Sequence, residues 1–195
     1  ELFPGNELVQ AFSLDRIQKS GGAFNEEKLK WMNKEYIAAL PAEERTAYFI
    51  AGLLETITQL PQYSTERTER LTTTALERVH NYVEIAAAAE AGEYDWAFVV
   101  PEVPKELLKW KNDDSWEQSL PRLEKAVELL QNADFSSVEG VKAAIWPYAE
   151  EVGRGEVLWP LRVALTGRER SPDPFTCAWV IGQEETLERI KAAFS

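Results

Sequence analysis

The sequence has very few of the residues on which metal and thiol chemistry depend. Its 195 residues include one cysteine, Cys177, and one histidine, His80. A single cysteine excludes an internal disulfide and is typical of a reducing compartment. Zinc sites are usually built from several histidines and cysteines, so a site of that kind is excluded. We therefore expect no bound metal, and we interpret Cys177, which lies among apolar residues, as a buried structural thiol.

Long apolar runs and phosphate-binding loops are also missing. No stretch approaches the roughly 18 consecutive apolar residues of a membrane span. The N-terminal "ELFPGNELVQ" has neither the basic start nor the apolar run of a signal peptide. The glycine spacings of the P-loop and of the dinucleotide-binding fingerprint do not occur. We expect a soluble, cytoplasmic protein with no membrane partner. Because the chain starts at Glu1, we also expect it to be a piece of a longer protein.

The charge balance restricts the kinds of partner. The chain has 21 basic and 33 acidic residues, which gives a formal net charge of -12. The sequence-independent part of nucleic-acid affinity comes from neutralising phosphates, so this balance excludes a generic polyanion binder. Any contact with nucleic acid must therefore be local.

Helical periodicity dominates the sequence, and prolines, glycines and capping residues mark the helix ends. The helices predicted from it run from Asn25 to Leu40, from Pro41 to Pro61, from Ser64 to Gly92, near Pro121 to Gln131, from Ser136 to Gly153, and then in three short pieces that end at Gly167, at Gly182 and at the C-terminus. Ser136 stands three residues before Glu139, which is the capping-box spacing. The two prolines in residues 99–104, "VVPEVP", indicate a boundary. Without β-type alternation, the sequence predicts an all-α fold.

Three pairs of neighbouring acids could in principle serve in acid–base chemistry. Each pair lies in the first turn of a predicted helix, where negative charge is favoured by the helix dipole. We therefore interpret them as helix-stabilising residues; they are Glu26 and Glu27, Glu43 and Glu44, and Glu184 and Glu185.

Arginines concentrate in residues 153–175, "GRGEVLWPLRVALTGRERSPDPF". Arg162 lies on an otherwise apolar helix, where a charge needs a partner or a path to solvent. The following turn supplies the Ser171 hydroxyl and the rigid Pro172. Guanidinium groups beside a preformed loop suit recognition of unstacked bases. The same pattern fits an ordinary packing corner between helices, so both interpretations stay open at the level of the residues.

Two blocks of the sequence resemble one enzyme family. "PLRVALTG" at 160–167, with the following "SPDPF" and "IGQEETLERIKAAF", resembles the C-terminal end of bacterial glutamyl-tRNA synthetases, which are class I aminoacyl-tRNA synthetases. "FSLDRIQKSGGAFNEEKLKWMNKEYI" at 12–37 resembles the segment that follows the family's catalytic domain. The resemblance implies an anticodon-binding helix bundle made of two helical lobes, residues 41–103 and 104–195, preceded by the end of the stem-contact region at residues 1–40.

The resemblance also implies roles for individual residues in the second lobe. Arg162 is expected to line the pocket for the last anticodon base, with Trp159 and Leu161 shaping its wall. Ser171, next to Pro172, is expected to contact the same base.

Other arginines carry two interpretations each. Arg78, in "LERVHNYVE", is similar to an arginine that the family's other lobe contributes to anticodon recognition; the alternative is a solvated arginine paired with Glu77 or Glu84. Three more are expected to be either phosphate contacts or members of surface ion pairs: Arg154, Arg168 and Arg170.

Catalysis is not expected from this chain itself. The family's catalytic site needs a two-histidine signature, which one histidine cannot supply, so the resemblance implies a non-catalytic, monomeric piece that binds glutamate tRNA and no cofactor. ATP and magnesium are implied for a catalytic domain elsewhere in the parent enzyme. The alternative is a helical protein-interaction module without RNA binding, which the acidic balance favours slightly.

Overall fold

The protein is all-helical, as the sequence predicts. The computed structural model describes residues 2–3, 5–17, 21 and 23–194. In these ranges the α-helices are α1 Gly5–Ala11, α2 Glu26–Ala39, α3 Ala42–Gly52, α4 Glu55–Thr58, α5 Thr65–Ala75, α6 Tyr82–Glu90, α7 Asp95–Phe98, α8 Leu120–Leu130, α9 Val138–Val152, α10 Arg154–Thr166, α11 Pro174–Ile181 and α12 Gln183–Ala193. Short 3-10 helices cover Leu14–Arg16, Lys105–Leu108 and Trp116–Ser119.

Most helix ends lie where the sequence predicts them. The Asn25 side chain accepts a hydrogen bond from the Lys28 backbone N–H at 2.9 Å and thereby caps α2. At the other end of the chain, Gly153, Gly167 and Gly182 end α9, α10 and α11 with φ values of 135°, 66° and 86°. Positive φ is easily adopted only without a Cβ atom, which explains why glycine occupies these three ends.

Two predicted helices are wrong in length, because each is interrupted. The helix expected from Ser64 to Gly92 ends at Ala75 and restarts at Tyr82. Asn81 causes the restart: its backbone is extended and its side chain accepts the Glu84 N–H at 3.0 Å, which caps α6. The helix expected from Pro41 to Pro61 is similarly divided at Leu53, whose backbone is extended between α3 and α4.

The predicted cap of α9 is displaced by one residue. Ser137, not Ser136, is the N-cap, and its Oγ accepts the Gly140 N–H at 3.1 Å. Ser136 instead donates its backbone N–H to Asp134 at 2.8 Å. Helix α9 therefore begins one residue later than the capping-box spacing predicts.

A single cluster of buried side chains extends through α3 to α12 and crosses the predicted boundary at residues 99–104. Its fully buried large members are Phe49, Phe98, Leu71, Ile85, Leu108, Leu123, Leu130, Ile145, Leu161, Leu165, Ile190 and Val141. Helix α10 lies at its centre, packed against α8, α9, α11 and α12, while α11 also packs against α5. The lobe limits at 41–103 and 104–195 stay predictions, since the two halves share this core.

The N-terminal segment contributes little to the core. Helix α1 has no buried residue, and Ile37 is the buried residue of α2. Residues 18–20 and 22, inside the block at 12–37, lie outside the described residues. Within the described ranges, no helix has the length and apolar character needed to cross a membrane.

Candidate nucleic-acid interface

The guanidinium group of Arg162 lacks an identified partner in the described part of the chain. It is half-buried on α10, between the fully buried Leu161 and Val163. Its Nε is buried without a hydrogen-bond partner, and no carboxylate in the described part of the chain forms a salt bridge with it. A buried polar group without a partner is costly and rare in proteins. The guanidinium group therefore has hydrogen-bonding capacity that no described residue of the chain uses.

The Ser171 turn contacts Cys177 on α11, a helix that packs against α10, which carries Arg162. The Cys177 Sγ lies 4.0 Å from the Ser171 Oγ and 3.6 Å from the Pro172 carbonyl oxygen. Burial raises the pKa of the thiol to about 12, and the nearby charge of Arg162 acts in the opposite direction. Cys177 is buried, as predicted. Ser171 and Pro172 therefore lie against one buried sulfur atom.

Hydrogen bonds stabilise this turn. Asp173 caps α11, because its Oδ1 accepts the Phe175 N–H at 3.0 Å and the Thr176 N–H at 2.9 Å. Its Oδ2 accepts the Thr176 hydroxyl at 2.7 Å. The Ser171 hydroxyl donates to the Pro172 carbonyl at 2.9 Å, so both residues are positioned before any ligand arrives.

A cleft of about 310 Å³ brings residues from the two predicted lobes together. Pro172 and Arg78 both line it, and residues of α5, α6 and the segment around Tyr94 form the rest of the wall. This volume is at the lower end of the range for small-molecule pockets, about 300–1,000 Å³. Burial raises the pKa of Tyr94 to about 12, and neighbouring Glu93 adds to the effect. The Tyr94 hydroxyl is therefore protonated at neutral pH and can donate a hydrogen bond.

Arg78 is exposed, and the carboxylates proposed as its partners are not bound to it. Glu84 accepts instead from His80, at 2.8 Å from the backbone N–H and 3.0 Å from Nδ1, and from the Asn81 side chain at 3.1 Å. In the described ranges, Glu77 forms no salt bridge either; its carbonyl accepts the Lys34 ammonium at 2.7 Å.

Trp159 and Leu161 have structural contacts on α10. Leu161 is only 1% exposed and belongs to the core. Trp159 donates its indole N–H to the Leu107 carbonyl at 2.7 Å, and its ring centroid lies 5.8 Å from that of Trp110. These contacts fix the helix that presents Arg162. Their predicted part in shaping a base pocket stays a prediction.

The other arginines of the cluster differ in their partners. Arg154 pairs with Glu150 at 2.9 Å, and its guanidinium lies 4.7 Å from the Trp146 ring centroid. Arg168 donates to the Gly92 carbonyl at 2.6 Å and pairs with Asp95 at 3.3 Å. Arg170 is exposed. The ion-pair interpretation therefore has identified partners for Arg154 and Arg168, whereas Arg170 points to solvent.

Sequence reasoning missed Arg67 and Arg189, two largely buried arginines that bridge helices distant in sequence. Arg189 is only 2% exposed. The sequence "LERIKAAF" suggests instead an exposed arginine on the polar face of an amphipathic helix, α12. The available signal is its spacing of four residues from Glu185, which favours a pair on one helix face.

The site contains no arrangement suited to a metal ion. No group of three histidine, cysteine, aspartate or glutamate side chains comes together anywhere in the part of the chain that the structure describes.

Comparison with known proteins decides the family. A family model described as an anticodon binding domain matches residues 42–194. The chain belongs to this family. Curated relatives of the domain include the glutamate–tRNA ligase of Clostridium botulinum strain Okra, 32% identical over 98% of this chain and 38% of the relative. The glutamate–tRNA ligase of Flavobacterium johnsoniae is 31% identical over 100% of this chain and 37% of its own length.

Solved structures agree with these relatives. A crystal structure of a glutamate tRNA ligase from Elizabethkingia meningosepticum, in complex with its amino acid, matches 96% of this chain and 36% of its own chain, with a TM-score of 0.70 and 27% identity. Glutamate–tRNA synthetase from Elizabethkingia anophelis gives a TM-score of 0.67 at 27% identity. The domain spans a little over a third of the length of the relatives it matches.

Proposed function

We propose that the domain binds glutamate tRNA through the anticodon, on a surface formed by Arg162, Ser171, Pro172 and Arg78. The observation that carries this proposal is the half-buried Arg162 guanidinium, whose Nε has no partner in the described part of the chain. Helix α10, which carries Arg162, packs against α11, the helix that follows the turn at Ser171 and Pro172, and Pro172 lines the same cleft as Arg78.

The chemistry of this surface suits single, unstacked bases. An anticodon loop presents bases whose edges and faces are open, and proteins recognise such bases with guanidinium groups, hydroxyls and aromatic rings. Arg162 can supply N–H donors from its two terminal guanidinium nitrogens and Ser171 supplies a hydroxyl, so together they can bind one base edge. Trp159 offers a stacking face beside them, and the exposed Arg170 is placed to contact a phosphate.

The acidic character of the domain is compatible with this role. At a net charge of -12, attraction to phosphates is weak over most of the surface, so binding depends on a few local contacts. Contacts to bases carry sequence information, whereas contacts to phosphates position the RNA. Weak general attraction therefore favours discrimination between anticodons.

For the complete protein we propose attachment of glutamate to its tRNA, as the names of the relatives indicate; the resemblance to glutamyl-tRNA synthetases implies that ATP drives this reaction. ATP and magnesium would be held by residues outside this chain, in a catalytic domain. The domain described here would act as the non-catalytic, monomeric tRNA-binding part of a cytoplasmic enzyme.

Chemical footprinting tests the proposal. The domain is added to glutamate tRNA at stated ionic strength, and cleavage of each nucleotide is compared with that of free tRNA. We expect protection centred on the three anticodon bases, and we expect it to weaken in the Arg162→Ala variant. Uniform protection of the tRNA, or none, would contradict the proposal and favour the helical protein-interaction module.

A further inference from the structure

A network of three charged side chains connects helices that are distant in sequence. Glu185 on α12 accepts from Arg189 on the same helix, through Nε at 2.9 Å and through Nη2. Its other carboxylate oxygen accepts from Arg67 on α5. Arg189 is 2% exposed, and the Glu185 and Arg67 side chains are 16% and 12% exposed. One carboxylate is therefore shared by two largely buried guanidinium groups.

The same guanidinium groups also hold backbone carbonyls of the chain around the predicted boundary. Arg189 donates to the Trp96 and Val99 carbonyls at 2.7 and 3.1 Å, and to the Leu165 carbonyl near the end of α10 at 2.7 Å. Arg67 donates to the Ala97 carbonyl at 2.9 Å and to the Ile181 carbonyl at the end of α11 at 3.1 Å. The network therefore joins α5, the segment 96–99 and the ends of α10 and α11.

These attachment points are adjacent to the proposed anticodon surface on both sides. Leu165 lies three residues after Arg162 on α10, and α11 begins directly after the turn that holds Pro172. Trp96 lines the cleft, as does Arg78, which follows α5. A change in the network would shift the two sides of the cleft relative to each other.

We propose that Glu185 is a positioning residue that sets the orientation of the Arg78 side of the anticodon surface relative to the Arg162 side. The predicted effect of Glu185 on tRNA binding rests on the proposed function. The structural part of the proposal, that this carboxylate fixes how α5 and α12 meet, is independent of it.

The charges explain why Glu185 is needed. Two guanidinium groups cannot stay close together in a poorly solvated space without an anion between them. Burial lowers the pKa of Arg189, and the charge of Glu185 opposes this effect. If the carboxylate is replaced by an amide, the two like charges repel, and the easier one to release is Arg67, since it is the less buried of the two. The link between α5 and α12 is then lost while each helix stays intact.

Distance measurements between spin labels test the structural part. Exposed Glu69 on α5 and exposed Glu188 on α12 are changed to cysteine and labelled, while the buried Cys177 stays unlabelled. We expect one narrow distance distribution in the parent and a broader or displaced one with Glu185→Gln. The matched control is Glu66→Gln, which removes an exposed carboxylate from its pair with an arginine four residues away on α5. The control should leave the distribution unchanged.

Binding of the glutamate tRNA anticodon stem-loop tests the effect on function. We expect Glu185→Gln to weaken binding at least tenfold at a temperature where the chain stays folded, and Glu66→Gln to change it less than twofold. A double-mutant cycle with Arg78→Ala separates positioning from a general structural role. If Glu185 aligns the two sides, Arg78→Ala costs much less in the Glu185→Gln background than in the parent.

A second variant keeps the proposal testable if Glu185→Gln does not fold. Arg67→Gln breaks the link but leaves Glu185 paired with Arg189, and it should reproduce both effects. An unchanged distance distribution, or additive losses in the cycle, would overturn the positioning role. Failure of the unsubstituted chain to distinguish anticodons would instead contradict the proposed function, and the distance measurements would be unaffected by it.

Discussion

Replacing Arg162 by alanine should separate RNA binding from stability. In the described structure the guanidinium has no salt bridge, and its Nε has no acceptor, so its removal leaves no carboxylate unpaired. We therefore expect little change in the melting temperature. A bidentate contact to a base edge contributes about 1–3 kcal/mol, so the affinity for glutamate tRNA should fall roughly 5- to 150-fold.

The assay is a fluorescence titration of labelled glutamate tRNA with the parent and with the variant, each first checked by thermal unfolding. Arg162→Lys keeps the charge but loses the planar fork, so its affinity should lie between the two. Arg45→Ala, which removes an arginine outside the cleft at Arg78 and Pro172, is the control and should bind like the parent. Unchanged affinity in Arg162→Ala, or a loss that parallels a loss of folded protein, would refute the reasoning.

Three further predictions concern stability and reactivity. Asp113→Ala should lower the free energy of unfolding by about 3 kcal/mol, because Arg122, 18% exposed, loses its two hydrogen bonds to the carboxylate at 2.7 and 2.8 Å. Urea titration should measure this loss, and it should show almost none for the control, Asp114→Ala, at the exposed neighbouring position. Hydrogen bonds from Arg122 lower the pKa of Asp113, so this contribution is complete above a pH of about 4 and disappears as the pH falls through the lowered pKa. Cys177, whose pKa is raised to about 12, should react with an alkylating reagent at pH 8 only at the rate of unfolding, and rapid modification of the folded chain would contradict its burial. Gly167→Ala should cost at least about 1–2 kcal/mol, since φ is +66° and a Cβ would lie 2.8 Å from a backbone carbonyl oxygen; a melting temperature equal to that of the parent would exclude this strain.

Local chemistry explains why many helix ends could be predicted from the sequence. The Asn25 cap depends on a side chain three residues from its partner, and the stop at Gly167 depends on one residue's backbone freedom. Neither needs tertiary information. The prediction of one continuous helix across α5 and α6 was wrong although its signal is also local. Asn81 is a capping residue, but the helical propensity of the segments on both sides outweighed it in the sequence analysis.

The site itself could be predicted only in part. Arg162 and Ser171 are close in sequence, and the resemblance to glutamyl-tRNA synthetases singles both out. The cleft between Arg78 and Pro172 depends on how helices distant in sequence pack, which periodicity does not encode. The network around Glu185 could not be predicted for the same reason. Most acceptors of its two arginines are backbone carbonyls, which leave no signal in the sequence.

The most direct test of the account is the ratio of two affinities, measured at one stated ionic strength. The 195-residue chain is titrated with the anticodon stem-loop of glutamate tRNA and with a stem-loop that differs only in the three anticodon bases. Each mismatched base should cost about 1–3 kcal/mol, as for other sequence-reading proteins, so the altered loop should bind at least tenfold more weakly. Equal affinities for the two loops would contradict the claim that this surface recognises the anticodon.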